Sequence, residues 1–165
     1  MKLSEQKIGI LIIKVVGLVL LGLGLYLLIH ELSHLLTMLL CNGVFEDMQI
    51  GITSFVAGYV DPKFVPITAM SSLIIPLLIS TVLLFVKNQY INVFLLGFTM
   101  PSLTQSVLGI FALWFINDQT RHTYDAALAY DFAKTPTIIT ILTIMGIVYS
   151  VFLLLVGFVR LMKEA

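Results

Sequence analysis

Charge is what this sequence most lacks. Of 165 residues, nine are basic and nine acidic, so charged side chains make up 11% where a soluble domain carries about 25%. The zero net charge excludes an electrostatic nucleic-acid binder, which needs a basic surplus to meet phosphates. Cysteine is nearly absent as well. Cys41 stands alone, which excludes an intramolecular disulfide and any metal site made only of cysteines. No nucleotide, flavin or haem motif occurs, and there is no internal repeat. What fills the chain is apolar: 59% of residues are hydrophobic and the mean hydropathy is +1.08. The length fits one domain covering residues 1–165, and this composition predicts a small multi-pass membrane protein.

Four apolar runs, residues 8–40, 65–86, 91–116 and 135–159, are separated by short polar segments. Each exceeds the roughly 20 residues that a helix needs to cross hydrocarbon at 1.5 Å per residue. The expected fold is therefore an all-α polytopic membrane protein with about four transmembrane helices. A secretory signal is not the reading of the first run, which is too long and has no small-residue cleavage site before the next polar loop. That run would measure about 50 Å as one helix, against about 30 Å of hydrocarbon. It must either tilt strongly or carry its last turns inside the protein or at the interface. Gly17, Gly22 and Gly24 fall within it; close approach of a neighbouring helix is the first reading of them, and a bend the second.

Charge placement gives an orientation. With four spans, Lys2, Lys7, Lys87, Arg160 and Lys163 share one side, and Lys63, Arg121 and Lys134 share the other. The excess predicts both termini in the cytoplasm. The loops on the opposite side differ in kind. Residues 48–53 and 55–60 are β-branched and aromatic pieces around a Thr-Ser turn, which predicts a short β-hairpin between the first and second spans. Asn42-Gly43 reads as the C-terminal cap of the first helix. Residues 117–134 are the most polar stretch, and the alanine-rich portion 124–132 suits a short helix.

Chemistry enters at His30-Glu31-Leu32-Ser33-His34. On a helix, positions i and i+4 share a face, so both imidazoles can bind one metal ion. Glu31 lies one residue on, placed to reach a water at the metal without ligating, and a carboxylate there acts as general base. Ionisable groups inside a span are expensive and are functional by default. A pair of snorkelling histidines with Glu31 paired to a cation such as Lys14 is the bland alternative. A catalytic zinc site takes three protein ligands and leaves a fourth position for water. His30 lies near the far end of its span, and the loop after the third span reaches the same face with Asp118, His122, Asp125 and Asp131. The third ligand is expected among these four, although a loop aspartate is most often solvated or a helix cap.

HELSH at the end of an apolar helix resembles the signature of the site-2 protease family of intramembrane zinc metalloproteases. Residues 43–60 look like that family's membrane-associated hairpin region, and residues 67–73 fall where relatives carry a run of small residues. Tyr124-Asp125-Ala126-Ala127-Leu128-Ala129, followed by Pro136, is similar to a Ser-Asp-Ala-type segment of a small B-type branch. The resemblance implies one Zn2+ per chain, a transmembrane peptide or protein substrate met within the lipid bilayer, and a catalytic role for Glu31. It implies a metal site of His30, His34 and a third ligand, for which carry-over by position favours Asp125. Asp118 competes, since it follows the third span directly. The chain departs from more familiar members in having no Asp-Gly, the element that supplies their third ligand.

These readings converge on a zinc-dependent intramembrane endopeptidase. The alternative is a non-catalytic membrane protein that binds metal or a partner, such as a regulator or an immunity protein, and Glu31 separates the two because a binding-only site needs no base. An ion or proton transporter would place carboxylates in several spans, and only Glu31 fits. In the third span, Gln105 suits an interhelical hydrogen bond first and a substrate or water path second.

Overall fold

The computed structural model describes residues 2–50, 55–116 and 123–164. Helix α1 (Lys2–Leu40) is followed by strands β1 (Val44–Gln49) and β2 (Phe55–Tyr59), a 3-10 turn at Pro62–Phe64 and helix α2 (Val65–Leu84). Helices α3 (Gln89–Phe115), α4 (Asp125–Phe132) and α5 (Pro136–Glu164) complete the described elements. Among the described residues, four helices, α1, α2, α3 and α5, are long and apolar enough to cross a membrane. Hydrocarbon offers no partner for a bare N–H or C=O, so an apolar run of this length closes its hydrogen bonds within itself as helix.

Helix α1 is continuous over 39 residues, about 58 Å at 1.5 Å per residue. Only one face of its C-terminal half packs inside the protein: Tyr26, His30, Glu31, Ser33 and Met38 are buried, whereas Leu36, Leu39 and Leu40 on the other face, and Ile10 to Ile13 further back, are exposed. The helix stops in a Schellman arrangement. Asn42 takes φ 56°, its N–H donates to the Leu39 carbonyl, and the Gly43 N–H donates to the Met38 carbonyl at 2.8 Å. The asparagine, not the glycine, holds the left-handed position.

The hairpin is present, with its first strand four residues earlier than expected. The strand starts at Val44, not at Met48, and pairs antiparallel with β2, Val44 opposite Tyr59 and Gln49 opposite Phe55. Glu46 and Asp47 disguise it in the sequence. Both side chains are exposed, and the register slips between Phe45 and Asp47, so a bulge at Glu46 breaks the alternation by which strands are recognised.

Helix α3 touches the other four helices and organises the bundle. Its Gly97 faces the backbone of Val19, and Gly22 of α1 faces the backbone of Phe94 in return. Of the three glycines weighed in the first span, only Gly22 serves close packing; Gly17 and Gly24 have open space where a side chain would be. Lipid tails are as apolar as leucine, so small residues that let backbones approach are what holds such helices together. The same device seats α4. Ala126, Ala127 and Ala129 are buried, Gly109 of α3 abuts Ala126, and Ala129 packs with Ala69, Met70 and Ile139. This short helix is thereby wedged against α2, α3 and α5, which carries its first residue, Asp125, inward.

Candidate metal centre

His30 and His34 project from α1 one turn apart, with ring centroids 5.1 Å from each other. Asp125 approaches them from the start of α4. Its Oδ2 is 3.3 Å from His30 Nε2, and its Oδ1 is 3.3 Å from His34 Nε2. One ligand atom from each of the three residues lies within 4.8 Å of the others. Four-coordinate geometry with bonds of about 2.1 Å sets neighbouring ligand atoms about 3.4 Å apart, and each imidazole meets one of the two Asp125 oxygens at close to that separation. Two imidazoles and a carboxylate are a donor set for a divalent transition metal. The residues fit.

The outer partners aim these ligands. His34 Nδ1 lies 2.9 Å from the Thr68 carbonyl of α2. A carbonyl only accepts, so Nδ1 carries the proton and donates, which leaves the Nε2 lone pair directed at the centre. Tyr26, one turn before His30, places its hydroxyl 3.2 Å from His30 Nδ1, where it can accept from or donate to that nitrogen. Ser72 of α2 donates its hydroxyl to Asp125 Oδ2 at 2.6 Å, a short bond of the charge-assisted kind. Burial acts to raise the pKa of the Asp125 carboxyl, but the charge and hydrogen bonds that the His34 and His30 rings offer in their protonated form outweigh it and hold the group below the ordinary carboxylate range.

Glu31 is buried at 4% exposure, and its Oε1 stands 3.9 Å from His30 Nε2. It borders the triad without belonging to it. A cavity of about 20 Å³ touches Tyr26, His30, Ser72, Ser106, Asp125 and Thr143, enough room for one water among polar partners.

Of the four candidates for third ligand, Asp125 joins the histidines. Asp131 is exposed near the C-terminal end of α4 and outside the group, while Asp118 and His122 lie outside the described residues. Sequence reasoning missed Tyr26, Thr68 and Ser72. Tyr26 carried a signal, since an aromatic hydroxyl four residues before a buried histidine shares its helix face. Thr68 acts through its backbone, and Ser72 reaches Asp125 only through the fold; neither had a local signature. The interhelical bond expected of Gln105 is not made among the described residues, and its side chain is exposed. Comparisons with protein-family models, curated proteins and solved structures find no match for this chain.

Proposed function

We propose that this protein is a zinc-dependent intramembrane endopeptidase of the site-2 protease kind. One observation carries the reading: a His-His-Asp donor set beside a buried, non-ligating glutamate, all within a bundle of membrane-crossing length. A binding-only site has use for the three donors and none for a carboxylate buried next to them, where an unpaired charge is costly. Zinc would be the natural ion for two imidazoles and a carboxylate. When bound, it supplies Lewis acidity, making a water acidic and polarising a peptide carbonyl.

The protein's own groups do the rest. Thr68 and Tyr26 fix the two imidazoles, and Ser72 occupies Asp125 Oδ2, leaving Oδ1 the freer ligand atom. The Glu31 carboxylate takes the proton of the attacking water and returns it to the leaving amine nitrogen, so that one group serves as base and then as acid. The small cavity beside His30 and Asp125 has room for one water. The substrate is a transmembrane helix, or the end of one, that unwinds and adds to an edge of the β1–β2 ribbon.

The first test is stoichiometry. Gently purified protein is expected to contain about one zinc per chain. Elemental analysis showing no transition metal, and no uptake when zinc is added, would overturn the reading. The orientation is tested separately. Given the bias of basic residues, a reporter fused after Ala165 is expected in the cytoplasm and one inserted near Ala57 outside it. Reversal of both would invert the topology and leave the centre on the hairpin side.

A further inference from the structure

Gln105 stands on α3 with its side chain exposed and with no hydrogen-bond partner among the described residues. Phe115 ends α3 ten residues later, just as Leu40 ends α1 ten residues after His30. At 1.5 Å per residue, Gln105 and the metal centre therefore share a depth of about 15 Å from the hairpin-side ends of their helices. Two hollows meet there. The small cavity at the centre and a wider groove between α1 and α3 are both lined by Tyr26 and Gln105. Leu23, Leu27, Met100, Pro101 and Thr104 form the groove's remaining walls, with Leu23 and Met100 exposed on the outer surface of the bundle. The Thr104 hydroxyl is spent on the Met100 carbonyl of its own helix at 3.1 Å. Gln105 is thus the free polar group of that groove.

An amide without a partner is costly in hydrocarbon, and lipid tails provide none. A carboxamide presents two N–H donors and a carbonyl acceptor, the complement of a peptide group. A substrate helix that unwinds within the bilayer exposes peptide groups with the same need. We propose that the α1–α3 groove receives the substrate as an extended segment, and that the Gln105 carboxamide hydrogen-bonds its main chain at the depth of the metal centre. This rests on the peptidase reading of the centre. It adds a rule of selection: the groove recognises backbone released by a weak helix rather than particular side chains.

The test measures capture, not cleavage. A photo-reactive residue is placed at Thr104, and in a separate protein at Val148, which is 64% exposed on α5; both carry Glu31→Gln. The probe is a synthetic single-span peptide of about 20 apolar residues with a central Gly-Asn pair, in phosphatidylcholine vesicles, beside an all-leucine-alanine control peptide. The Thr104 position is expected to capture the Gly-Asn peptide over the control, and the Val148 position neither. Adding Gln105→Leu is expected to cut that capture about tenfold, as loss of two hydrogen bonds would, with zinc content unchanged. Equal capture after Gln105→Leu, equal capture at Val148, or capture only of lipid or of a second copy of this chain would overturn the inference. The expected pattern of capture, joined to a wild-type protein that cleaves nothing, would uphold the groove and overturn the peptidase.

Discussion

Glu31→Gln is expected to keep its metal and lose its chemistry, with turnover of a transmembrane peptide falling roughly 10²–10⁴-fold, the usual contribution of a positioned acid–base group. The Glu31 carboxylate stands 3.9 Å from His30 Nε2 and outside the donor triad, so changing it leaves His30, His34 and Asp125 in place. Glutamine matches glutamate in size and hydrogen-bonding reach, which preserves packing at this buried position, but it cannot accept a proton from water. Zinc content and cleavage, measured on the same preparation, separate the cases. Full activity in the variant would remove the general base and with it the peptidase. Loss of zinc together with activity would mean that Glu31 holds the metal, contrary to its place beside the triad.

What the sequence disclosed follows the range of the forces involved. The spans were legible because a bilayer demands long apolar helices, whatever their neighbours. Their ends were less so, since a helix does not stop where hydropathy does. Helix α5 runs past Val159 to Glu164, and Arg160 there hydrogen-bonds the Leu84 carbonyl near the end of α2, satisfying a group that helix α2 leaves open. Strand β1 was misplaced because Glu46 and Asp47 look like loop residues when a bulge carries them outward. His30, Glu31 and His34 were fully legible, their relation being set by helix geometry alone. By residue chemistry alone Asp125 was one of several acids, and only the family resemblance favoured it. Its selection depends on Ala126, Ala127 and Ala129 seating α4 in the bundle, and on the Ser72 hydroxyl that receives the carboxylate. Both are contacts between distant parts of the chain.

The same contacts make Asp125 and Ser72 the sharpest pair for testing how the metal is held. Asp125→Ala removes one of three donors and, with it, the anion between two imidazoles. Zinc affinity is expected to fall by more than the 10–100-fold typical of losing an outer partner, with activity falling alongside. Ser72→Ala is expected to sit within that 10–100-fold range, because Asp125 remains but its Oδ2 loses the 2.6 Å bond that orients it. Added zinc should therefore restore cleavage in Ser72→Ala and fail to do so in Asp125→Ala. Competition against a chelator of known affinity measures both, and Asp118→Ala, expected to match the wild type, serves as the control. A wild-type affinity in Asp125→Ala joined to a lost one in Asp118→Ala would move the third ligand to Asp118. Equal losses in Asp125→Ala and Ser72→Ala, neither rescued by zinc, would instead mean that the Ser72–Asp125 bond holds α4 to α2 and that the metal is secondary to it.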